Sequence, residues 1–412
     1  MSNPIFSPDG RLLFATRSLR LFAYGFLSVV LMIYLSQLGL SGAKIGLLFT
    51  LTLLGDTAIS LWITTIADRK GRRYMLIVGA FLMVFAGVLF AVTDNFVLLL
   101  IAATIGVISP SGNEVGPFLS IEQAALSHIV TDEQRTRIFA WYNLAGSFAT
   151  AAGALFGGFM AQALQGFGVA PIGSYRAIVA IYAAVGLVLA FLFTRVSTGI
   201  EVPRPAGPGA PSEIKRFLGL HKSKGVVFRL SALFSLDSFG GGFVLQSFMA
   251  YWFHVRYNVE PALLGGIFFG ANILAGLSSL SAAWVASKIG LIRTMVYTHI
   301  PSNLLLIMVP LMPNLPLAIA VLMLRFSISQ MDVPTRQSYT MAIISPDERS
   351  AAAGITGVAR TTGASISPLL GGPLLASAAL MNLPFFLAGG LKIIYDLLLY
   401  RSFRHLRPPE EE

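Results

Sequence analysis

Residues 67–92 read ADRKGRRYMLIVGAFLMVFAGVLFAV, a short basic turn followed by an uncharged apolar run. As an α-helix, the run from 74 to 92 would extend about 28 Å, close to the thickness of the hydrocarbon core of a bilayer. It therefore predicts a membrane-spanning helix, and the basic turn predicts a loop on the cytoplasmic side.

Apolar runs of this kind fill the rest of the chain. Of its 412 residues, 55% are apolar and only 12% are charged, about half the charged share of soluble domains. We therefore predict an all-α integral membrane protein with twelve transmembrane helices. The segments long enough to span a bilayer are 18–38, 44–66, 74–93, 96–130, 136–163, 175–195, 226–255, 262–287, 292–313, 315–344, 350–379 and 383–401.

A proline-rich stretch divides the twelve segments into two sets of six. Residues 196–225 hold four prolines and several basic residues, which is typical of a linker. We predict an N-terminal six-helix bundle over 1–195, this cytoplasmic linker, and a C-terminal six-helix bundle over 226–412. An internal repeat favours two pseudo-symmetric halves, because 122–158 can be laid on 336–372 without a gap.

Basic residues are distributed unevenly between the two ends of the segments. If both termini are cytoplasmic, 21 of the 29 Lys and Arg residues fall on the inner side, three on the outer side and five within segments. This bias predicts a multi-pass protein of the cell membrane, inner or plasma, with both termini cytoplasmic. It also accounts for the net charge of +10 without a nucleic-acid partner.

Several chemical classes lack their signatures in this chain. It has no cysteine, so it has no disulfide framework and no thiolate metal site. It has no Gly-rich phosphate loop followed by Lys and Ser or Thr, which excludes ATP as the energy source. No nucleophile with a base and no set of metal ligands occurs at catalytic spacing. We therefore predict neither an enzyme nor a bound cofactor.

The turn between the second and third segments has the sequence DRKGRR at 68–73. In a chain of two six-helix halves, it resembles the major facilitator superfamily of secondary transporters, over essentially the whole chain. The resemblance implies alternating access to a central cavity, a small-molecule substrate, protons and membrane lipids as partners, and a monomer. Charge anchoring alone would explain the last two arginines but not the acid and the glycine. We therefore expect a conformational latch made by Asp68, Arg69, Gly71, Arg72 and Arg73.

Segment five is rich in glycine and resembles the antiporter branch of this family, which favours efflux of a drug or metabolite. Some positions depart from the family patterns. Thr64 and Ala154 stand where Gly and Pro are usual, and the Arg common in the fourth helix of drug antiporters is missing.

Besides the basic residues already assigned to the two membrane sides, eleven charged residues fall inside the segments. Placing a charge in hydrocarbon costs at least about 2.5 kcal/mol, so these side chains should face one another or a water-filled cavity. They are Arg20, Asp56, Glu114, Glu122, Asp237, Arg325, Asp332, Arg336, Arg360, Lys392 and Asp396.

Segment four is too long for one straight helix. Its 35 residues would extend about 52 Å, and 109–117 contain two prolines and two glycines. We predict a broken helix whose freed backbone groups line the cavity, with Asn113 and Glu114 at the substrate site. The alternative is a packing kink that points Glu114 to water.

Three acids near mid-membrane lie outside any obvious i to i+4 pair: Asp56, Glu114 and Asp237. We predict that one of them carries the coupled proton. The alternative for Asp56 and Asp237 is a structural ion pair with Arg360 or Arg20.

Segment ten carries a cluster of polar residues. Arg325, Asp332 and Arg336 are spaced by seven and four residues, which predicts one charged helical face toward the cavity. Gln330 and Asp237 complete the predicted substrate cavity. With Arg360, the two arginines could hold a carboxylate, phosphate or sulfonate. The alternative is that Asp332 only neutralises Arg336.

The internal repeat aligns Glu122 with Arg336. Opposite charges at equivalent positions of two related halves predict a salt bridge that closes the cytoplasmic side as a gate. The alternative is that each residue pairs within its own half.

Two further sets of residues have structural interpretations. Lys392 and Asp396 are four residues apart, which predicts a self-neutralised pair on the last helix. The five histidines fall near predicted helix ends or in loops, so we predict no metal site at mid-membrane.

The sequence therefore predicts a secondary active transporter of a small organic solute, and it favours proton-coupled efflux. Two alternatives stay open. One is uptake or exchange of an organic or inorganic anion through an Arg-lined cavity. The other is a non-transporting membrane sensor, which would need an output domain that 1–17, 196–225 and 402–412 are too short to form.

Overall fold

The computed structural model describes residues 7–129, 132–201, 220, 222–345 and 348–406. Over these ranges the chain forms sixteen α-helices, numbered in chain order. They are α1 (Pro8–Ser28), α2 (Leu31–Gln37), α3 (Gly42–Lys70), α4 (Arg72–Val92), α5 (Phe96–Ile105), α6 (Phe118–Ile129), α7 (Asp132–Gly166), α8 (Pro171–Arg195), α9 (Lys224–Gly242), α10 (Gln246–Tyr257), α11 (Pro261–Ile289), α12 (Leu291–Met308), α13 (Leu315–Phe326), α14 (Asp332–Ile343), α15 (Arg349–Ala376) and α16 (Leu383–Phe403).

Each predicted segment corresponds to one helix or to two consecutive helices. Segments one, four, seven and ten are broken into the pairs α1–α2, α5–α6, α9–α10 and α13–α14, so breaks recur at every third segment of the described chain. Seven of the unbroken helices have the length and hydropathy of membrane spans, and α1–α2 forms one more span bent by 42°. The predicted all-α membrane fold is confirmed, and the helices are consistent with twelve spans.

The break in segment four lies where the sequence predicts it. α5 ends at Ile105 and α6 begins at Phe118, and residues 106–117 between them are not helical. Gly112 and Gly116 have φ angles of +72° and +83°, a backbone region in which a larger side chain would be strained. The glycines at these positions therefore permit the turn that separates the two helices.

Hydroxyl groups from neighbouring helices satisfy backbone carbonyls of this break. Tyr182 donates to the carbonyl of Val107 at 2.8 Å, and Tyr24 donates to the carbonyl of Val115 at 3.1 Å. A buried carbonyl without a hydrogen-bond partner is costly. These two bonds therefore stabilise the break, where the backbone has lost its helical hydrogen bonds.

The described residues divide into two compact units. We refer to them as the first and the second unit. The predicted boundaries of the two six-helix halves stay a prediction. The first unit contains the described residues within 1–202, 244–273 and 368–381, and the second contains those within 203–243, 274–367 and 382–412.

In the first unit, α1 packs against α7 and α4 packs against α8. The contact between α1 and α7 is close at glycine: a Cβ atom at Gly153 would lie 2.0 Å from the carbonyl oxygen of Phe22. No side chain fits there, so glycine lets the two backbones touch, as small residues do in many membrane helix pairs.

The first unit also contains helix ends from the second half of the chain. On α3, a Cβ at Gly46 would lie 2.3 Å from the carbonyl oxygen of Pro368 on α15. On α7, a Cβ at Gly158 would lie 2.1 Å from the carbonyl oxygen of Pro261 on α11. The basic-residue bias predicts that these helix ends lie on the outer side.

In the second unit, α9, α12, α14 and α16 enclose an apolar core. Its buried members include Leu230, Phe234, Met295, Tyr339, Tyr395 and Leu399. Charged residues of the same helices lie beside this core, so their side chains are removed from lipid and must find partners within the unit.

Apolar side chains cover much of the outer surface of the helices. Val92 is 70% exposed, Trp284 68% and Phe159 63%. An exposed apolar surface of this kind is typical of helices that face lipid.

Candidate functional site

A buried set of polar residues lies in the first unit, and we call it the N-half cluster. Its charged members come from α1, from the α5–α6 break and from α6. The cluster consists of Thr16, Arg17, Arg20, Glu114, Glu122, Tyr142 and Asn143.

Arg20 is the centre of the N-half cluster and is fully buried. Its Nη1 and Nη2 donate to the two carboxylate oxygens of Glu122 at 2.9 and 2.7 Å, which is a bidentate pair. Its Nε donates to Glu114 at 2.7 Å. One guanidinium therefore binds two carboxylates, which the planar fork of arginine allows and the single nitrogen of lysine does not.

Arg17 completes the charge balance of the N-half cluster. It lies three residues before Arg20, on the same face of α1. Its Nη1 donates to Glu114 at 2.9 Å, and its Nη2 donates to Asn143 at 3.2 Å. Two cations and two carboxylates then cancel, which lowers the cost of burying them.

Glu122 has no exposed surface. Besides Arg20, it accepts from Thr16 at 3.1 Å and from the hydroxyl of Tyr142. In this conformation Glu122 is thus bound within its own half of the chain, which is the alternative to the gate. The gate formed with Arg336 stays a prediction.

Asp56 on α3 accepts from the backbone N–H of Gly116 in the α5–α6 break and, at 3.4 Å, from Ser60. Within the described ranges no Lys, Arg or His side chain forms an ion pair with it. Asp56 therefore differs from the other two proton candidates, because both of those are bound by cations. Asn113 in the same break is exposed, and its carbonyl accepts from Ser109 at 2.7 Å.

A second set of buried charges lies in the second unit, and we call it the C-half cluster. It joins α9, α12, α14 and α16. The cluster consists of Asp237, His299, Asp332, Arg336, Lys392 and Asp396.

Asp237 is the most connected acid of the C-half cluster and is 5% exposed. Lys392 Nζ donates to its Oδ1 at 2.6 Å, and Arg336 Nη1 donates to its Oδ2 at 3.0 Å. The same Nη1 lies 3.2 Å from Asp332 Oδ2, so Asp332 also neutralises Arg336, the i to i+4 pair that the sequence left as an alternative. Asp237 therefore ties α9 to both α14 and α16.

Two sequence interpretations need correction here. Lys392 and Asp396 do not form the expected self-contained pair, because Lys392 donates to Asp237 and Asp396 binds another helix. His299 does not lie at a helix end. It is 5% exposed within α12, with Nδ1 2.8 Å from Asp396 Oδ1 and Nε2 3.9 Å from Asp237 Oδ1. Tertiary contacts between distant helices override the local spacing.

The predicted charged face of segment ten is interrupted. Arg325 lies near the end of α13, whereas Asp332 and Arg336 lie on α14, after the break at 327–331. The spacing of seven residues assumed one continuous helix and therefore does not place Arg325 on the face of the other two. In the break, the N–H of Gln330 donates to Ser278 at 3.2 Å.

Arg325 and Arg360 differ from the other membrane arginines. Arg325 is 9% exposed, and its guanidinium lies 4.7 Å from the ring centroid of Phe326. In the part of the chain that the structure describes, the Nε of each arginine has no hydrogen-bond partner and no carboxylate forms a salt bridge with either. Both interact electrostatically with Asp332.

The basic turn at 68–73 has an acidic partner. Gly71, with φ of +107°, ends α3, and the N–H groups of Arg72 and Arg73 at the start of α4 donate to Glu201 at 2.7 and 3.1 Å. The guanidinium of Arg72 donates to the carbonyl of Ile200 at 3.1 Å. The side chains of Asp68 and Arg69 lie outside the described residues, so their part in the latch stays a prediction.

Sequence reasoning missed Arg17, His299 and Tyr142 as members of these clusters. Arg17 had a signal, because it is three residues from Arg20. His299 also had one, because it shares a helical face with Ser302 and Asn303. Tyr142 had none that distinguishes it from an interface aromatic residue.

The family model of the Major Facilitator Superfamily matches residues 13–368. The uncharacterized membrane protein YJR124C of Saccharomyces cerevisiae is 31% identical over 424 aligned residues, covering 96% of this chain and 94% of that protein. The quinolone resistance protein NorA of Staphylococcus aureus (strain MRSA252) is 26% identical over 252 residues, covering 60% of each chain.

One solved structure with a similar fold is a bacterial homolog of the human lysosomal transporter Spinster, in an inward-facing and occupied conformation. It has a TM-score of 0.73 and 16% identity, and the match covers 98% of each chain. At this identity the likeness concerns the fold.

Proposed function

Because the chain belongs to the Major Facilitator Superfamily and is a multi-pass membrane transporter, we propose that it moves a small organic solute by proton-coupled exchange, in the direction of efflux. The membrane, the solute and the coupling ion are part of this proposal.

One observation carries the proposal. Seven of the eleven charged residues within the predicted segments lie on the four broken segments, which contribute charged residues to both buried clusters. Broken helices and intramembrane charges are the two features that mark a transport site, and here they coincide. A purely structural role for the charges would not require them to gather on the interrupted helices.

Proton coupling is assigned to the carboxylates Asp56, Glu114 and Asp237. Asp56 is the simplest candidate, because in the described chain no cation would have to be released when its carboxylate binds a proton. Glu114 and Asp237 are bound by arginine or lysine, so protonation would release those cations. Protonation of any of these carboxylates would change the hydrogen bonds or ion pairs between neighbouring helices.

Similarity to the quinolone resistance protein NorA supports efflux of an organic compound. The close glycine contacts of α3 with α15 and of α7 with α11 support alternating access. The predicted orientation, with both termini cytoplasmic, assigns these contacts to the outer side. An outward-open state would then have to separate them.

The experiment uses proteoliposomes that contain the purified full chain. Counterflow is measured with norfloxacin, tetraphenylphosphonium, benzoate and inorganic phosphate, and an internal pH dye reports proton movement. We expect counterflow of at least one solute, and its accumulation when a proton gradient is imposed. Empty liposomes and the Asp94→Asn variant are controls, because Asp94 is 61% exposed and pairs with Arg176 at the surface.

No counterflow with any of the four solutes would contradict the transport proposal for these classes of compound. Counterflow without any response to a proton gradient would contradict the coupling alone. A protein that binds a solute without moving it would favour the sensor.

A second candidate function is uptake or exchange of an organic or inorganic anion. It is favoured by Arg325 and Arg360, with which no carboxylate forms a salt bridge in the described structure. An unpaired buried cation is costly, and a carboxylate, phosphate or sulfonate would remove that cost through charge-assisted hydrogen bonds. Benzoate or phosphate would then show counterflow, and tetraphenylphosphonium would not.

The two functions can be separated with matched variants. Arg325→Gln and Arg360→Gln should each weaken counterflow of the anion at least about tenfold, since a charged hydrogen-bonded partner is lost. The control is Arg256→Gln, at the exposed end of α10, where the arginine is far from the predicted mid-membrane residues. An anion transported equally well by the Gln variants would contradict the anion site.

A further inference from the structure

We infer that His299 binds an exchangeable proton that it shares with Asp237, which makes it a proton-binding residue of the C-half cluster. The inference rests on the proposed proton coupling and adds a group that the sequence had placed outside the site.

The geometry sets His299 between two acids. Its Nδ1 lies 2.8 Å from Asp396 Oδ1, where it donates a hydrogen bond, and Asn303 holds the other oxygen of Asp396 at 3.3 Å. This bond fixes the ring, because a carboxylate can only accept. The other ring nitrogen, Nε2, therefore faces Asp237 Oδ1 at 3.9 Å.

A neutral ring in this position is unfavourable. With Nδ1 as the protonated nitrogen, Nε2 would carry a lone pair, and this lone pair would face a carboxylate oxygen that also carries lone pairs. A proton on Nε2 converts this repulsion into attraction between an imidazolium ion and Asp237.

The six residues of the C-half cluster, without the nearby Arg325 and Arg360, lack one positive charge for balance when His299 is neutral. The three carboxylates of the cluster carry three negative charges, and Arg336 and Lys392 carry two positive charges, so one negative charge remains. A proton on His299 makes the cluster neutral. Neutral clusters cost less to hold at membrane depth than charged ones.

Other charged groups act on His299 from the surrounding helices. Asp332 on α14 and Asp396 on α16 contribute negative charge near His299, and Lys392 on α16 contributes positive charge. Arg336 on α14 is paired with two acids. Farther out, Arg325 on α13 and Arg360 on α15 add positive charge near Asp332.

The proton can move within the cluster without another reactant. The N–H bond at Nε2 breaks, an O–H bond forms at Asp237 Oδ1, and the total charge is unchanged. The gap of 3.9 Å is longer than a hydrogen bond, so transfer requires an approach of about 1 Å or one bridging water.

This transfer would have a mechanical consequence. A protonated Asp237 is neutral and holds Arg336 and Lys392 less strongly, so the ties from α9 to α14 and α16 weaken. The position of one proton would thus control how firmly these helices are joined.

The competing interpretation is structural. His299 would stay in one protonation state and serve only to hold Asp396. The experiment must therefore detect exchange of the proton and not merely the presence of the ring.

Solid-state NMR of the full chain in liposomes, with isotope-labelled histidine, reports the protonation of each ring nitrogen. The His299 signal is the one lost in His299→Gln, and His254 is an internal control because its Nδ1 lies 2.8 Å from the carbonyl oxygen of Val259 and not from a carboxylate. Between about pH 5 and pH 9, we expect His299 to pass between its protonated and neutral forms.

Matched variants test the neighbours. Asp396→Asn keeps the shape and removes a negative charge, so the ratio of protonated to neutral His299 at pH 7 should fall at least about tenfold. Asp237→Asn should lower it as well. Asp94→Asn, at the exposed surface pair with Arg176, should leave the ratio unchanged.

A His299 that keeps one protonation state over the whole pH range would overturn the inference, and this measurement needs only the unaltered chain. An Asp396→Asn spectrum identical to that of the unaltered chain would also overturn it. The NMR result needs no solute, so its failure is distinct from a failure of counterflow, which would contradict the transport proposal instead.

Discussion

At the scale of single residues, the buried arginines show how geometry selects one cation over another. Arg20 donates to both oxygens of Glu122 and to Glu114 at once. A lysine carries the same charge on a single nitrogen and cannot reproduce two parallel bonds. Removing one partner of a buried ion pair leaves an uncompensated charge, which costs about 3–5 kcal/mol.

We therefore predict that Arg20→Lys destabilises the protein by about 2 kcal/mol or more, because at least one charged hydrogen bond is lost in a buried site. Thermal unfolding in detergent measures the effect. The matched control is Arg176→Lys, whose guanidinium pairs with Asp94 at the surface and should change stability by less than about 1 kcal/mol. Equal losses of stability in the two variants would show that the buried guanidinium of Arg20 contributes no more to stability than the exposed guanidinium of Arg176.

The three proton candidates lead to a prediction about coupling. Asp56→Asn should keep the fold, since an amide oxygen can still accept from the N–H of Gly116. For at least one of Asp56→Asn, Glu114→Gln and Asp237→Asn, solute exchange should continue while accumulation driven by a proton gradient is lost. Counterflow and gradient-driven uptake of norfloxacin measure the two activities. Normal accumulation in all three variants would place coupling elsewhere.

At the scale of helices, two features stand out. Breaks recur at every third segment, and close contacts between helices occur where glycine replaces a side chain. The breaks leave backbone groups without helical hydrogen bonds, and many of the charged residues lie on the broken segments. The glycines, in contrast, let the backbones of neighbouring helices touch. Substitutions at the glycines therefore test packing without touching the charged clusters.

Gly46→Val should disturb the contact of α3 with α15, because its Cβ would lie 2.3 Å from the carbonyl oxygen of Pro368. We expect a loss of about 1–3 kcal/mol in thermal unfolding, typical of overpacking. Gly266→Val on α11 is the control, since no atom lies within 4 Å of its Cβ position. A Gly46→Val protein as stable as the Gly266→Val control would contradict a contact between α3 and α15 that is too close for a side chain.

At the scale of the whole molecule, each unit contains a buried set of charges that is close to balance. The N-half cluster has two cations and two carboxylates. The C-half cluster needs one proton to reach neutrality. A transporter that changes conformation must keep such clusters paired in each state, because an unpaired charge at membrane depth is costly.

The gate is a prediction at this scale. If Glu122 and Arg336 form the gate in another conformation, Glu122→Arg combined with Arg336→Glu should restore transport that either single change abolishes. Counterflow of norfloxacin or benzoate measures the recovery. If the partners within each cluster dominate, the double variant will be no better than the singles, because Arg20 and Asp237 would then each face a like charge.

The sequence by itself determined the fold class, the positions of the spans and the break in segment four. These follow from local properties: the length of apolar runs, the cost of charge in hydrocarbon, and glycines and prolines at 109–117. It also identified the eleven charged residues within the segments.

Only the tertiary structure decided which of these residues bind one another. Arg20 and Glu114 are 94 residues apart, and Lys392 and Asp237 are 155 apart, so no periodicity relates them. Lys392 had an acid four residues away on its own helix, yet it binds one on α9. The reason is physical. In a helix bundle, the nearest opposite charge depends on which helix faces pack together, and the sequence of one span does not specify which helices pack against it.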